Sequence, residues 1–68
     1  MLTAGCDVGS RTAKAVILED NTILTDAVIS AKLDPIDSAQ SVMDMALEQV
    51  GLALDEIHNI VGTGFKGH

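Results

Sequence analysis

One run of residues near the amino terminus has the types and spacing that bind a nucleoside triphosphate together with its metal ion. It reads Asp7-Val8-Gly9-Ser10-Arg11-Thr12-Ala13-Lys14. A carboxylate at a strand end, as expected for Asp7, holds Mg²⁺ directly or through its waters, because hard cations take oxygen ligands. Gly9 is free to adopt a positive φ and lets backbone amides approach phosphate oxygens. The run therefore predicts a magnesium–phosphate site on a strand–turn–strand unit.

The polar side chains that follow Gly9 extend this prediction. Ser10 and Thr12 supply hydroxyl donors. Lys14, together with Arg11, supplies positive charge against the phosphates. The alternative is an ordinary hairpin with a solvated aspartate and lysine across its turn. An isolated Asp-x-Gly triplet is common by chance, but the Ser, Thr and Lys that follow it favour phosphate binding over this alternative.

A second run, near the carboxyl end of the sequence, carries two glycines around a threonine. It reads Val61-Gly62-Thr63-Gly64-Phe65-Lys66-Gly67. Glycines here either let the backbone pass close to a ligand or another loop, or only shape a turn. The motif is weak by itself and favours the turn. Phe65, the sole aromatic residue, is expected to be a packing anchor.

The other side chains capable of chemistry are assigned to packing or to the surface. Cys6 lies in a strand of small apolar residues, where core packing is expected rather than redox chemistry. His58 is expected at the surface or as a cap, and the terminal His68 receives no assignment. The remaining candidates belong to the packed margin or the solvated face of a predicted helix: Met43, Met45, Asp37, Asp44 and Glu48.

Three short strands joined by brief turns are predicted to position the first run. They cover residues 2–7, 13–18 and 23–29, and the second carries β-branched residues on both faces. The turn between the second and third strands is the acidic segment Glu19-Asp20-Asn21. This spacing predicts an antiparallel meander, with Asp7 at the end of its first strand.

A helix is predicted after Pro35, where apolar residues recur at steps of three and four. Asp34 or Asp37 is expected to cap its start, because a carboxylate there accepts hydrogen bonds from orphan amides. Gly51 is expected to end it. The apolar stripe comprises Ile36, Ala39, Val42, Met43, Ala46, Leu47 and Val50.

The segment after the helix is predicted to return to the sheet. Residues 52–56 are expected to form a turn, and residues 57–61 a strand that ends at Gly62-Thr63-Gly64. A helical crossover between two strands usually returns the chain parallel to its sheet. The sequence thus predicts an α/β fold of order β-β-β-α-β, whose mixed sheet has three antiparallel strands and a parallel fourth.

Length and charge limit the classes of function. The chain has 68 residues, ten acidic and four basic side chains, and a formal net charge of −6, which suits one small domain with a thin core. A single cysteine excludes a disulfide scaffold, and with two histidines it leaves a four-ligand zinc site hard to assemble. The acidic balance argues against nucleic-acid and anionic-membrane binding. No membrane span or signal peptide is visible, so the cytoplasm is the expected location.

Taken together, these residues resemble a known family. The run from Gly5 to Val16 is similar to the phosphate-1 segment of the acetate and sugar kinase, Hsp70 and actin superfamily. Its G-x-D-x-G-S-x-T-x-K pattern, followed by V-G-T-G-F, resembles the activator ATPases of 2-hydroxyacyl-CoA dehydratases and benzoyl-CoA reductases. Where this chain has Phe65-Lys66-Gly67, the family more often has Tyr-Gly-Arg.

The resemblance implies a ribonuclease H-like, actin-like ATPase fold, of which residues 1–68 would form part of the first lobe. By match to the family's motif, Asp7 would assist the Mg²⁺ ion. Gly9, Ser10 and Thr12 would face the β- and γ-phosphates of ATP. Lys14 matches a basic position of the family's motif, and its role is left open.

The resemblance also implies features that this chain lacks. A complete activator would have a second phosphate loop, an adenosine pocket and cysteines that hold a [4Fe–4S] cluster between two subunits. Cys6 does not match a cluster ligand. The complete protein would be a homodimer that couples ATP hydrolysis to electron transfer into a CoA-ester dehydratase or reductase, and the 68 residues alone are expected to hydrolyse ATP poorly.

Two alternatives stay open. Sugar and small-molecule kinases of the same superfamily use this loop to hold ATP, and the chain would then be a fragment of a kinase. In the other alternative the chain is a small non-catalytic module that binds a partner through an open edge of its sheet.

Overall fold

In a computed structural model, residues 1–63 are described, and they form one mixed sheet with a helix against one face. The sheet order is β3-β2-β1-β4, in which β1 pairs antiparallel with β2 and parallel with β4. The α/β class and the predicted order are therefore confirmed. The elements are β1 (Leu2–Val8), β2 (Thr12–Glu19), β3 (Thr22–Ser30), α1 (Pro35–Val50), a 3-10 turn (Leu54–Glu56) and β4 (Asn59–Thr63).

The hairpin between β2 and β3 is tighter than predicted. Glu19 belongs to β2 and pairs with Thr22, so the connection consists of Asp20 and Asn21 alone. Their φ angles are 49° and 72°, as a two-residue hairpin turn with two left-handed positions requires. Aspartate and asparagine tolerate this conformation better than most residues.

The fourth strand begins two residues later than predicted, at Asn59. His58 precedes this strand and is hydrogen-bonded to the start of β1. Its backbone amide donates to the carbonyl oxygen of Leu2 at 2.8 Å. The Leu2 amide donates in return to His58 Nδ1 at 3.2 Å. The expectation of a surface position for His58 is confirmed. Because the strand is shifted, Gly62 and Thr63 pair with β1 instead of forming the predicted turn.

The hydrophobic core lies between α1 and one face of the sheet. The sheet contributes mostly small side chains, and Ile17 and Val42 are the bulkiest apolar ones that are fully buried. Cys6 is 7% exposed and faces this core, which confirms its packing role. The buried apolar residues are Ala4, Cys6, Ala13, Ala15, Ile17 and Ala27 of the sheet, and Val42, Met43, Ala46 and Leu47 of α1.

Both ends of α1 follow the predicted capping chemistry. The Asp34 carboxylate accepts from the amide of Ile36 at 2.9 Å. At the other end Gly51 has a φ of 68°, and its amide donates to the carbonyl oxygen of Glu48 at 3.3 Å. Within residues 1–63, no helix is long and apolar enough to cross a membrane.

The predicted apolar stripe of α1 is wrong in its first turn. Ile36 is 55% exposed, whereas Ser38 is fully buried. The Ser38 hydroxyl accepts from the amide of Lys32 at 2.7 Å and so joins the β3–α1 connection to the helix. A polar contact that the periodicity cannot show sets which side of the first turn faces inward.

Candidate functional site

The site predicted from the sequence lies on the turn between β1 and β2. The amide of Gly9 donates to the carbonyl oxygen of Thr12 at 2.9 Å, which closes the turn over Ser10 and Arg11. The carbonyl oxygen of Arg11 accepts from the amide of Ala31 at 2.8 Å, so the turn is also fixed to the end of β3. All four turn residues are exposed. The turn is therefore held in place by backbone hydrogen bonds and is accessible to solvent.

Gly9 is free to adopt a positive φ but does not do so in the structure. Among the described residues, Gly51 is the glycine with a positive φ. A Cβ added at Gly9 would lie 3.4 Å from the carbonyl oxygen of Thr12, an ordinary contact. The local fold therefore does not require a glycine at this position. At this exposed position the missing side chain leaves the backbone of the turn uncovered, as contact with a phosphate oxygen would require.

Asp7 and Lys14 lie directly opposite each other on β1 and β2. Both side chains are exposed and lie on the sheet face away from α1, because the neighbouring Cys6 and Ala15 are buried beneath the helix. Directly opposed residues have Cβ atoms about 5 Å apart. The side chains of Asp7 and Lys14 thus leave neighbouring positions of the two strands, below the turn. The six predicted site residues are brought together at one end of the β1–β2 hairpin.

The face opposite α1 carries a groove of about 640 Å³. Its floor is at Gly5, where an added Cβ would approach Val16 Cγ1 to 3.2 Å. Its charged lining consists of Asp7, Lys14 and Asp26. Asp26 was missed at the sequence level, although an acidic residue inside a predicted strand is a signal that could have drawn attention to it. The apolar lining includes Val16, Val28 and Val61.

The metal-binding side chains of the described residues suit one of the cofactors that the resemblance implies, Mg²⁺, and not the other, an iron–sulfur cluster. Burial raises the pKa of the Cys6 thiol, and the nearby Asp7 charge raises it further, so the thiolate that binds metals is disfavoured. Within the described residues, no group of three or more His, Cys, Asp and Glu side chains could hold a metal ion. These residues fit Mg²⁺ held by one carboxylate together with phosphate oxygens. They do not fit an iron–sulfur cluster, which needs several cysteines.

The second glycine-containing run is only partly described. Gly62 and Thr63 lie in β4, opposite Cys6 and Asp7 of β1. Residues 64–68, with the expectations for Phe65 and His68, lie outside the described residues. A ligand-binding role for this run stays untested.

No protein-family model matches the sequence. An uncharacterised protein of Methanocaldococcus jannaschii is 36% identical over 64 residues, which are 94% of this chain and 15% of that protein. An activator of lactoyl-CoA dehydratase from Anaerotignum propionicum is 37% identical over 65 residues, which are 96% of this chain and 25% of that protein. The chain thus spans a quarter or less of the length of the curated relatives it matches.

Two solved structures with a similar fold also come from dehydratase systems. The activator of the 2-hydroxyisocaproyl-CoA dehydratase from Clostridium difficile, with bound ADPNP, matches with a TM-score of 0.83 and 31% identity over 96% of this chain and 24% of that chain. Component A of the (R)-2-hydroxyglutaryl-CoA dehydratase of Acidaminococcus fermentans shares the fold, with a TM-score of 0.78 and 22% identity over 94% of this chain and 26% of that chain. In sequence and fold, the chain is similar to activators of 2-hydroxyacyl-CoA dehydratases, which confirms the resemblance found from its motifs.

Proposed function

We propose that this chain supplies the phosphate-binding segment of an ATP-dependent activator of a 2-hydroxyacyl-CoA dehydratase, as part of the first lobe of the activator's ATPase domain. One observation carries the proposal. The chain matches about a quarter of an activator that binds ADPNP, at 31% identity. The match covers 96% of this chain, which presents Asp7, Lys14 and the exposed turn at Gly9.

In the proposed function, each element of the turn contributes to holding the nucleotide. Backbone amides around Gly9 donate to phosphate oxygens, and the hydroxyls of Ser10 and Thr12 add further donors. The Lys14 ammonium offsets phosphate charge. Asp7 holds the Mg²⁺ ion directly or through water, and the ion, when bound, neutralises the charge on the phosphates.

In this proposal, electron transfer depends on residues outside this chain. Cys6 is the one cysteine of the sequence and faces α1, where it is 7% exposed. A [4Fe–4S] cluster would therefore be held by cysteines elsewhere in the activator, in a homodimer. The partner enzyme would be a dehydratase, because the relatives with named functions are dehydratase activators or a dehydratase component.

The open sheet face would pack against the remainder of the ATPase domain. Val28 and Val61 on this face are 56% and 60% exposed. Sheets with parallel strands are generally covered on both faces, and here α1 covers one of them. A second layer on this face would bury these side chains and partly enclose a nucleotide at the turn.

A segment exchange tests the proposed function. The matching quarter of the C. difficile activator is replaced by this chain, and ATP-dependent activation of the 2-hydroxyisocaproyl-CoA dehydratase is measured. We expect the chimera to activate the enzyme and the same chimera with Asp7→Ala to fall to the level without nucleotide. Asp44→Ala, on the exposed side of α1, is the matched control and should leave activation unchanged.

Two results of this exchange would contradict the proposal. A folded chimera that binds ADPNP but does not activate the dehydratase would exclude the activator function. A chimera in which Asp7→Ala activates as well as the unsubstituted segment would exclude the assignment of Asp7 to the metal and phosphates.

A further inference from the structure

A third charged side chain shares the groove with Asp7 and Lys14. Asp26 lies on β3 directly opposite Val16, while Lys14 pairs with the residue two positions further along, Val28. Asp26 is therefore the diagonal neighbour of Lys14 on the same sheet face, and all three charged side chains line the groove. Asp26 is exposed and stands among otherwise apolar neighbours of the groove.

This placement sets Lys14 between two carboxylates. Strand β2 lies between β1 and β3, so Asp7 flanks Lys14 on one side and Asp26 on the other. Diagonal neighbours are about 7–8 Å apart at the backbone, within reach of a long side chain. Among the described residues, the ion pair that forms joins the amino-terminal ammonium group to Asp20 at 2.6 Å, and none joins Lys14 to Asp26. The Lys14 ammonium is therefore not held by direct contact with Asp26 and is able to respond to a ligand.

We propose that Asp26 is a positioning residue that competes with the nucleotide's phosphates for the Lys14 ammonium. This inference rests on the proposed function, since it assigns a regulator of nucleotide affinity at the same site. Without ligand, the ammonium is held over the groove between Asp7 and Asp26. A bound phosphate draws it towards the turn at Gly9, against the attraction of Asp26.

The size of the effect follows from the separation and the exposure of the two groups. Two unit charges about 7 Å apart in water interact with a strength that corresponds to about a threefold change in an equilibrium constant. Removal of the Asp26 charge is therefore expected to raise the affinity for a phosphate ligand about threefold. Because both groups are exposed, the gain should shrink as the salt concentration rises.

A double-mutant cycle tests this competition. The affinity for Mg·ADPNP is measured by NMR titration for the unsubstituted chain, Asp26→Asn, Lys14→Gln and the double variant. We expect Asp26→Asn to raise the affinity about threefold when Lys14 is present, and by clearly less in the Lys14→Gln background. Asp44→Asn, which removes the same charge from α1 on the other side of the sheet, should change nothing. An equal gain in both backgrounds would mean that Asp26 only repels the ligand, and would overturn the proposal, as would the absence of any gain.

A second readout needs no nucleotide and separates this inference from the proposed function. The side-chain NMR signals of Lys14 are recorded in the ligand-free protein and are expected to shift with Asp26→Asn but not with Asp44→Asn. Unmoved Lys14 signals in a protein that does bind Mg·ADPNP would overturn the role of Asp26 and leave the proposed function standing. Shifted signals in a protein that binds no nucleotide would overturn the competition together with the proposed function.

Discussion

Replacement of Gly9 by alanine separates the proposed ligand-binding role of the β1–β2 turn from its role in folding. The backbone at Gly9 does not have a positive φ, and the new Cβ would meet only the carbonyl oxygen of Thr12, at the ordinary distance of 3.4 Å. At such a compatible position, alanine stabilises a protein by about 0.4–1 kcal/mol, because it restricts the unfolded chain. The free energy of unfolding should therefore stay unchanged or rise within this range.

Nucleotide binding by the Gly9→Ala variant should respond in the opposite direction. The added methyl group fills the space through which a phosphate oxygen would reach the turn amides. Loss of one hydrogen bond to a charged oxygen costs about 1.5–3 kcal/mol, or roughly a ten- to hundredfold loss of affinity. Urea unfolding measures the first quantity, and NMR titration with Mg·ADPNP the second.

A matched control for this experiment is Gly5→Ala, on the adjoining strand. There the new Cβ would come within 3.2 Å of Val16 Cγ1, so the side chain of Val16 must shift and the free energy of unfolding is expected to fall. The reasoning about Gly9 would be refuted if Gly9→Ala destabilised the chain as Gly5→Ala does. It would also be refuted if Gly9→Ala left the affinity for Mg·ADPNP unchanged.

Three further predictions concern the elements that support the site. Ser38→Ala leaves the partly buried amide of Lys32 without its acceptor and should lower the free energy of unfolding, measured in urea, by about 1–3 kcal/mol. Ser41→Ala should change it by less than about 0.5 kcal/mol, and equal effects of the two substitutions would contradict the role of the Ser38 contact. Gly51→Ala forces a φ of 68° on a residue with a Cβ and should cost about 1–2 kcal/mol; an unchanged urea midpoint would show that the helix end relaxes. Burial raises the pKa of the Cys6 thiol above its ordinary value of 9.0, so the folded state binds the thiol proton more tightly than the unfolded state does. The contribution of this proton to the free energy of unfolding is complete below about pH 9 and is lost as the pH rises through the pKa of the folded state. Alkylation by iodoacetamide at pH 7 should be slower in the folded than in the unfolded chain, and equal rates would contradict the burial of the thiol.

The order of elements was predictable because local signals agreed with one another. The small and β-branched residues before and after the first turn, the spacing of apolar residues in α1, and Gly51 at its end all act within a few residues. The start of β4 was not predictable in this way. It depends on the mutual hydrogen bonds of His58 and Leu2, which are 56 residues apart in the sequence.

The arrangement of the candidate site was predictable only in part. Once a hairpin is assumed, residue alternation places Asp7 and Lys14 on one face, and residue types mark the turn. The position of Asp26 depends on an irregularity in the pairing of β2 with β3, where Ile17 pairs with Thr25 but Leu18 pairs with Ile23. Such a bulge changes which residues share a face, and no short-range pattern in the sequence announces it.

One NMR titration tests most directly whether the turn between β1 and β2 binds the phosphates of a magnesium nucleotide. Amide signals of the 68-residue chain are followed as Mg·ADPNP is added, in parallel with the Asp7→Ala variant. We predict binding weaker than micromolar, Mg²⁺-dependent shifts centred on residues 7–14, and their loss in the variant. Shifts centred on α1, or shifts of the turn that persist in Asp7→Ala and without Mg²⁺, would contradict the claim.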